Sequence, residues 1–254
     1  MRTIDYRLCV MGLAGIWLAL GSVFTHAEGG PPMLTDDPGT PDDGHWEINI
    51  AMQTEHGGDT TTWKLPLADI NYGLGERVQL KFEMPWEIEH VNGMGNQSGA
   101  GNSIAGVKWR FFDAGDDGWK MSVYPQVQSR FPVSGSPLAD SGVGYLLPFE
   151  FEHKFGDWGV NFDFGRWFLP TDQTDTWIGG IAIGRDVVEG LEIMGELHGE
   201  RDAHSSRNEL TLNFGARWEL SKRFTLLVSA GTDLHNDLDQ KATLISYVGL
   251  QTNL

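Results

Sequence analysis

The stretch Val78–Glu89 reads Val-Gln-Leu-Lys-Phe-Glu-Met-Pro-Trp-Glu-Ile-Glu and has apolar residues at every even position. The odd positions are polar or charged except for Pro85. Because successive side chains of a strand point to opposite faces, this pattern predicts a strand with one apolar and one charged face. Its length is about that of a tilted strand crossing a bilayer. A soluble sheet can show the same alternation, so the remaining sequence must distinguish the two.

The N-terminus has the features of a secretory signal peptide. Arg2 and Arg7 precede an apolar stretch over residues 8–24, and Thr25-His26-Ala27 supplies small residues where a signal peptidase cleaves. We therefore expect residues 1–27 to be removed. The alternative, an anchoring transmembrane helix, is disfavoured because the glycine-broken apolar stretch is short and a cleavage site follows it.

The composition of the remaining chain excludes several classes of function. The only cysteine, Cys9, lies in the signal peptide, so the processed chain has neither disulfides nor a catalytic thiol. Removing residues 1–27 takes away two arginines and one aspartate, which changes the formal charge from −17 to −18. This acidity argues against a nucleic-acid partner, because such partners select for basic surfaces.

Twelve segments after Gly44 have the pattern of strands. They are residues 46–55, 63–74, 78–89, 103–112, 119–131, 145–155, 158–168, 177–186, 191–200, 208–220, 224–232 and 242–254. Residues 44–254 are therefore predicted to form an all-β, antiparallel, up-and-down transmembrane β-barrel of about twelve strands, with ten or fourteen as alternatives.

The connections between these strands differ in length at the two ends of the barrel. Those after even-numbered strands are short, at residues 75–77, 113–118, 156–157, 187–190 and 221–222. Those after odd-numbered strands are mostly longer and polar, at residues 56–62, 90–102, 132–144, 169–176, 201–207 and 233–241. Short turns at one end and long loops at the other are typical of an outer-membrane barrel.

Aromatic residues are sorted to both rims. Eight fall beside the short-turn end: Trp46, Trp109, Phe111, Trp119, Phe155, Trp158, Trp218 and Phe224. Four fall beside the long-loop end: Trp86, Phe131, Phe168 and Trp177. Such belts are expected where aromatic rings lie at the level of lipid headgroups.

Some residues conflict with regular strands. Pro66, Pro85, Pro125 and Pro148 lie inside predicted strands, where each removes a ladder donor, so we expect bulges or breaks there. The phase of the second strand also slips between Trp63 and Ile70, which places the bulge near Pro66.

Residues 28–43 form a stretch rich in Pro, Gly and Asp that shows no periodicity. We expect a periplasmic lead-in that is mobile or packed against the barrel mouth. The acid pairs Asp36-Asp37 and Asp42-Asp43 could hold Ca²⁺, but their spacing matches no calcium loop, so solvated turns are favoured.

Several of these segments resemble the "MetA pathway of phenol degradation" family of transporter-like outer-membrane proteins. The resemblance is carried by Pro31–Pro41 with Gly44–Asn49, then by Leu67–Leu74, Gln79–Pro85 and Gly106–Phe111. It extends over nearly all of the processed chain, with its specific part at residues 31–112. The resemblance implies an outer-membrane transporter, and the occurrence of some members near aromatic-degradation pathways suggests aromatic solutes. The C-terminus departs from many outer-membrane proteins, which end in Phe, because this chain ends Asn253-Leu254.

A twelve-stranded barrel is intermediate between a filled eight-stranded barrel and a sixteen-stranded pore, which predicts a narrow, polar lumen. Mixed charges on the inward face indicate paired ladders rather than a strongly selective ring. The candidate lumen-lining residues are Lys81, Glu83, Glu87, Lys108, Arg110, Arg130, Glu150, Glu152, Asp163, Glu196, His198, Glu200 and Arg217. The functional hypothesis is passive diffusion of a small solute, and the alternative is that the same pairs plug a closed barrel.

Two other functions stay open. A lipid hydrolase could use His204-Ser205-Ser206, or His198 between Glu196 and Glu200, although neither cluster has a recognised spacing. A structural or surface barrel could bind divalent cations through its acidic loops. We predict no catalytic residues, no metal site and no cofactor. The expected partners are outer-membrane lipid and lipopolysaccharide, the barrel-assembly machinery and a small-molecule solute, and the expected location is the outer membrane of a Gram-negative bacterium.

Overall fold

The computed structural model of the protein describes residues 30–132, 136–170 and 173–254, and these contain fourteen strands. The strands are β1 (Trp46–Gly57), β2 (Thr60–Leu74), β3 (Val78–Val91), β4 (Gly95–Ala100), β5 (Ser103–Asp113), β6 (Trp119–Val123), β7 (Gln126–Ser129), β8 (Gly144–Phe155), β9 (Trp158–Phe168), β10 (Thr176–Val188), β11 (Leu191–Asp202), β12 (Asn208–Ser221), β13 (Phe224–Asn236) and β14 (Ala242–Asn253). In this part of the chain, no helix is long and apolar enough to cross a membrane. The expected signal peptide, residues 1–27, lies outside the described residues.

The strands close into one antiparallel barrel. β1 pairs with both β2 and β14, so the first and last strands join the sheet into a ring. β6 and β7 share one position in the ring, because both lie between β5 and β8. β4 is an additional strand that pairs with the second half of β3, while β5 pairs with the first half. The predicted all-β, twelve-stranded antiparallel barrel is thus confirmed, with β4 and the division of one strand as additions.

Two irregularities of the barrel lie at prolines, while other register shifts, such as those at Asp186/Val188 and Leu210/Thr211, involve no proline. The ladder between β2 and β3 shifts register between Lys64 and Leu67, which confirms the bulge expected near Pro66. Pro125 separates β6 from β7, and there the amide of Tyr124 donates to the carbonyl of Pro148 over 3.1 Å. A proline has no amide hydrogen to donate, which explains the shift and the break at these two positions. The ladder between β8 and β9 nevertheless continues through Pro148 without a register shift, so a bulge is not formed there.

Two predicted loops at the long-loop end are wrong. Residues 56–62 are mostly strand, and only Gly58 and Asp59 lie between β1 and β2. Residues 90–102 contain β4, which forms because the end of β3 offers free backbone groups to pair with. The longest connection at this end is the one between β7 and β8, at residues 130–143.

The polarity of the fold is the reverse of a soluble protein. Large apolar side chains such as Ile50, Phe164 and Phe214 are exposed on the outer face, while Lys108, Glu150 and Glu152 are almost completely buried inside. All twelve aromatic residues predicted to form the two belts are exposed. Buried charge and a continuous exposed apolar band are explained when the band contacts lipid and the polar face surrounds a lumen.

Residues 30–43, here called the inner segment, run through this lumen. The segment contacts β12 and β13 first, reaches β9, β10 and β11 at about half their length, and then crosses to β5. It returns to the short-turn end beside β2, where Gly44 donates to the carbonyl of Gly73 over 3.0 Å, and continues into β1. Sequence analysis expected a lead-in that is mobile or packed against the barrel mouth, whereas these contacts lie deeper, because side chains along the barrel wall bond its main chain.

Candidate functional site: the barrel lumen

One side of the lumen is lined by charged side chains that pair with one another. We call this the paired wall, formed by Asp69, Lys81, Glu83, Lys108, Glu150 and Glu152 on β2, β3, β5 and β8. The ammonium group of Lys81 lies 3.3 Å from the carboxylate of Asp69 and 3.0 Å from that of Glu83. The three residues share one face of neighbouring strands because β2 and β3 pair Asp69 directly with Glu83. Lys81 therefore neutralises two carboxylates that would otherwise repel.

Lys108 is the centre of the paired wall. Its side chain is only 2% exposed, and its ammonium group lies 3.3 Å from Glu150, which is fully buried. The same group lies 3.0 Å from the Asp36 carboxylate, donates to the carbonyl of Asp37, and stands 4.7 Å from the ring centre of Tyr124. Lys108 thus joins the barrel wall to the inner segment.

Glu152 lies beside Lys108 on the same wall, next to two lysines. Its carboxylate is 3.3 Å from the ammonium of Lys154 and 3.7 Å from that of Lys120. Two cations on one carboxylate make each individual pair partly redundant.

The opposite side of the lumen is bonded mainly to the inner segment. We call it the receiving wall, formed by Asp163, Glu196, Asn213, Arg217 and Ser229 on β9, β11, β12 and β13. The Glu196 carboxylate accepts the main-chain amide of Leu34 at 2.9 Å and that of Thr35 at 2.8 Å. It also accepts the side-chain amide of Asn213 at 2.9 Å. A carboxylate held by three donors is well satisfied although it is buried.

Other residues of the receiving wall complete the contact with the main chain. Asp163 accepts the amide of Asp36 at 3.1 Å. Arg217 donates to the carbonyls of Pro31, at 2.9 Å, and Gly30, at 3.1 Å. Ser229 donates to the carbonyl of Pro32 at 2.9 Å. The bonded groups are three successive carbonyls of the segment, at residues 30–32, and then three successive amides, at residues 34–36. Between them the chain forms a turn, in which Met33 donates to the carbonyl of Gly30 over 2.9 Å and Gly30 to that of Thr35 over 2.8 Å.

Glycines on the inner face make room for the segment. A Cβ atom built on Gly180 would lie 2.1 Å from the hydroxyl oxygen of Thr35, and one on Gly215 would lie 2.3 Å from the terminal methyl of Met33. A Cβ on Gly73 would lie 2.1 Å from the carbonyl oxygen of Asp42. These distances are far below van der Waals contact, so alanine would force the side chain of Thr35 or Met33, or the backbone at Asp42, to shift.

The lysines of the paired wall determine the charge state of Asp36 in the inner segment. Burial of the Asp36 carboxyl group would raise its pKa, but the ammonium groups of Lys108 and Lys81 outweigh burial and hold this pKa below its usual value. Asp36 therefore carries a full negative charge at neutral pH and attracts Lys108.

Two cavities lie along the described part of the lumen, and the larger borders the inner segment. The larger, about 330 Å³, lies at the short-turn end between the segment and both walls, where Asp36, Lys81 and Arg217 line it. The smaller, about 190 Å³, lies further along β3 and is lined by Lys64, Glu83 and Glu87 among others. Both are polar, so water and hydrophilic solutes fit them better than apolar ones.

The remaining candidate residues lie away from this centre. Arg110 lies at the short-turn end, where it pairs with Asp113 at 3.3 Å and donates to the carbonyl of Glu76. Arg130 donates to the carbonyl of Asp140 at 2.7 Å, beside the long β7–β8 connection. Glu200 lies on the long-loop side of Glu196 and faces its register partner Glu209 on β12. The buried His198 lies between Glu196 and Glu200 on β11.

The candidate list omits the neutral members of the lumen and more than one buried acid, among them Asp69 and Asp233. The neutral residues include Asn49, Asn71, Asn213 and Ser229, whose inward parity in each strand is visible in the sequence. Asp69 was missed because the bulge near Pro66 left the inward face of that strand undefined.

The two clusters considered for catalysis have other contacts. In the loop after β11, Asp202 accepts the main-chain amide of His204 at 2.8 Å, and Ser205 accepts that of Arg207 at 3.2 Å. Glu196, next to His198, is bonded to the inner segment. Among the described residues, no group of three or more His, Cys, Asp or Glu side chains is arranged to hold a metal ion.

Comparison with known proteins identifies relatives by fold. No protein-family model and no curated protein sequence matches the chain. A COG4313 outer membrane channel from Pseudomonas putida F1 matches with a TM-score of 0.66 at 12% identity, covering 89% of this chain and 100% of that one. The KdgM porin matches at 0.54 and 12% identity, covering 81% and 98%. The CymD monoaromatic hydrocarbon channel matches at 0.50 and 10% identity, covering 84% and 89%. The chain therefore has the fold of outer-membrane channels.

Proposed function

We propose that the protein is a passive channel of the outer membrane of a Gram-negative bacterium, exported with a signal peptide that is then removed. The observation that carries this proposal is the polarity of the barrel: a continuous apolar outer face with aromatic rims encloses a lumen of buried charged residues and polar cavities. A fold shared with three proteins named as channels or porins supports it.

The solute is small and at least partly polar, because it must pass the charged groups of both walls. The candidate lumen residues of the paired and receiving walls are the groups it would meet, and Arg110 and Arg130 would lie at the two entrances. The resemblance to the MetA family, together with the likeness to a monoaromatic hydrocarbon channel, favours aromatic compounds that carry a polar group. Lipopolysaccharide and lipid would surround the barrel, and the barrel-assembly machinery would insert it.

No enzymatic activity is part of this proposal, since the fold relatives are named as channels and the catalytic candidates are bonded elsewhere. A closed barrel with a structural role is the second candidate, because the inner segment fills part of the lumen. A measurement of conduction or solute passage, rather than the shape of the barrel, distinguishes the channel from the closed barrel.

The test is single-channel recording in planar bilayers, followed by liposome swelling with benzoate, a neutral sugar and an amino acid. A channel gives discrete current steps and solute-dependent swelling, and Glu83→Gln changes both because Glu83 lines the smaller cavity. Glu189→Gln, in the exposed β10–β11 turn, is the matched charge control. Folded, heat-modifiable protein that neither conducts nor swells liposomes would favour the closed structural barrel.

A further inference from the structure

The receiving wall has the chemistry of a site for a peptide main chain. Its side chains and Lys108 bond three amides, of Leu34, Thr35 and Asp36, and four carbonyls, of Gly30, Pro31, Pro32 and Asp37. All of these groups belong to the main chain, which forms a turn closed by bonds from Gly30 to Thr35 and from Met33 to Gly30. The contact therefore depends on this backbone geometry more than on most side chains.

The shape of the wall agrees with its hydrogen bonds. Gly180 and Gly215 leave hollows that Thr35 and Met33 fill, and both of these side chains are buried, with Thr35 fully covered. A specific peptide site needs side chains that bond the peptide main chain and hollows that hold its side chains. The receiving wall has both.

The inner segment is a ligand attached at only one end to the barrel. Among the described residues, it joins the barrel covalently at β1 alone, and it belongs to no strand. Its hold on the wall therefore consists of the hydrogen bonds, the Lys108 ion pair and the packing described above. A tethered ligand of this kind is in competition with free molecules of the same chemistry, although the tether gives it a high effective concentration.

We propose that Asp163, Glu196, Arg217 and Ser229, with Lys108, form a binding site for short peptides that adopt the same turn, and that residues 30–39 are its resident ligand. A free peptide that offers the same amides and carbonyls displaces the segment and occupies the lumen. Any role of this site in transport rests on the proposed channel function. The site would make peptides one class of solute that the lumen binds.

The first test weakens the resident ligand and leaves the wall unchanged. Leu34→Pro with Thr35→Pro removes both amide hydrogens that Glu196 accepts. A fluorescent peptide with the sequence of residues 30–39, Gly-Pro-Pro-Met-Leu-Thr-Asp-Asp-Pro-Gly, is then titrated into the detergent-solubilised variant, and anisotropy is measured. We expect saturable binding to the variant, and at least about tenfold weaker binding to wild type, whose own segment competes.

The control peptide carries proline at the positions of Leu34 and Thr35. Loss of two charge-assisted hydrogen bonds should weaken its binding at least about tenfold relative to the native peptide. Equal binding of the two peptides, or no binding of either to the folded variant, would overturn the proposal. This measurement does not depend on ion conduction. A protein that binds the peptide but carries no current would contradict the proposed channel function and still support the peptide site.

The second test displaces the segment from the wall and also covers the case in which the double-proline variant does not fold. Gly180→Val places methyl groups where Thr35 lies, whereas Gly179→Val makes the same change one residue away on the outer face, where a Cβ would have ordinary contacts. We expect a several-fold higher single-channel conductance for Gly180→Val than for Gly179→Val. Identical conductance in the two folded variants would contradict a displaceable ligand.

Discussion

The two sides of the lumen satisfy their buried polar groups in different ways. The paired wall is largely self-sufficient, because Lys81 lies between Asp69 and Glu83 and Glu152 has two lysines. The receiving wall obtains most of its partners from the inner segment, as Glu196 does from Leu34 and Thr35. Buried charge is costly unless it is paired, so the first wall should determine the stability of the barrel and the second the position of the segment.

Loss of Lys108 should have the largest effect, because this residue belongs to the paired wall and also holds the segment. Lys108→Met leaves the buried Glu150 carboxylate without its cation. Removing one partner of a buried ion pair costs about 3–5 kcal/mol. We expect a loss of this size in the free energy of unfolding, measured by urea titration in detergent micelles.

The compensating variant tests the origin of this loss. Lys108→Met combined with Glu150→Gln removes the unpaired charge and should recover a large part of the free energy. If the double variant is as unstable as Lys108→Met alone, the ion pair is not the cause.

Loss of Glu196 should release the segment with less effect on the barrel. Glu196→Ala deletes the acceptor for Leu34 and Thr35, and a hydrogen bond to a charged group contributes about 1.5–3 kcal/mol. The measurement is thiol labelling of Met33→Cys, which is buried against Gly215 when the segment is bound. Labelling should accelerate at least about tenfold in Glu196→Ala.

Glu200→Ala is the control for this experiment. Glu200 lies on the same face of β11, but its register partners are Glu209 and Ile178 on the neighbouring strands. Equal labelling rates in Glu196→Ala and Glu200→Ala would remove the distinction between the two walls.

The difference between the walls also explains which parts of the barrel and its lumen the sequence predicts. Each strand carries its own alternation, so the barrel and its twelve positions follow from local patterns such as Val78–Glu89. The breaks at Pro66 and Pro125 are local as well, since a missing amide hydrogen acts where it occurs. The sequence therefore predicts every residue of the paired wall except Asp69.

The inner segment could not be predicted in the same way. Its partners lie far along the chain, for example 162 residues from Leu34 to Glu196 and 186 from Pro31 to Arg217. Its own sequence shows no periodicity, because main-chain groups make most of the contacts. β4 was missed for a related reason: Gly95–Ala100 contains no apolar alternation and is a strand because β3 extends to Val91.

Acid should weaken the contact between the segment and Lys108 by a smaller amount. The pKa of Asp36 in the folded protein lies below its unfolded value, because Lys108 and Lys81 outweigh burial. The stabilisation from its charge is therefore complete above about pH 4 and is lost as pH falls through the folded pKa. We expect wild type to be more stable than Asp36→Asn at pH 6, and this difference to shrink below about pH 4 in urea titrations. A difference that stays constant over this range would show that the Asp36 charge contributes nothing.

The smallest effect is expected at the edge of the paired wall. Lys120 lies 3.7 Å from Glu152, but Lys154 lies closer, at 3.3 Å, and remains when Lys120 is removed. Lys120→Ala should therefore lower the free energy of unfolding by less than about 1 kcal/mol. Lys154→Ala, measured in the same urea titration, should cost more, because it removes the nearer and more buried cation. If Lys120→Ala proved as costly as Lys108→Met, the paired wall would act as one cooperative network rather than as a set of partly redundant pairs.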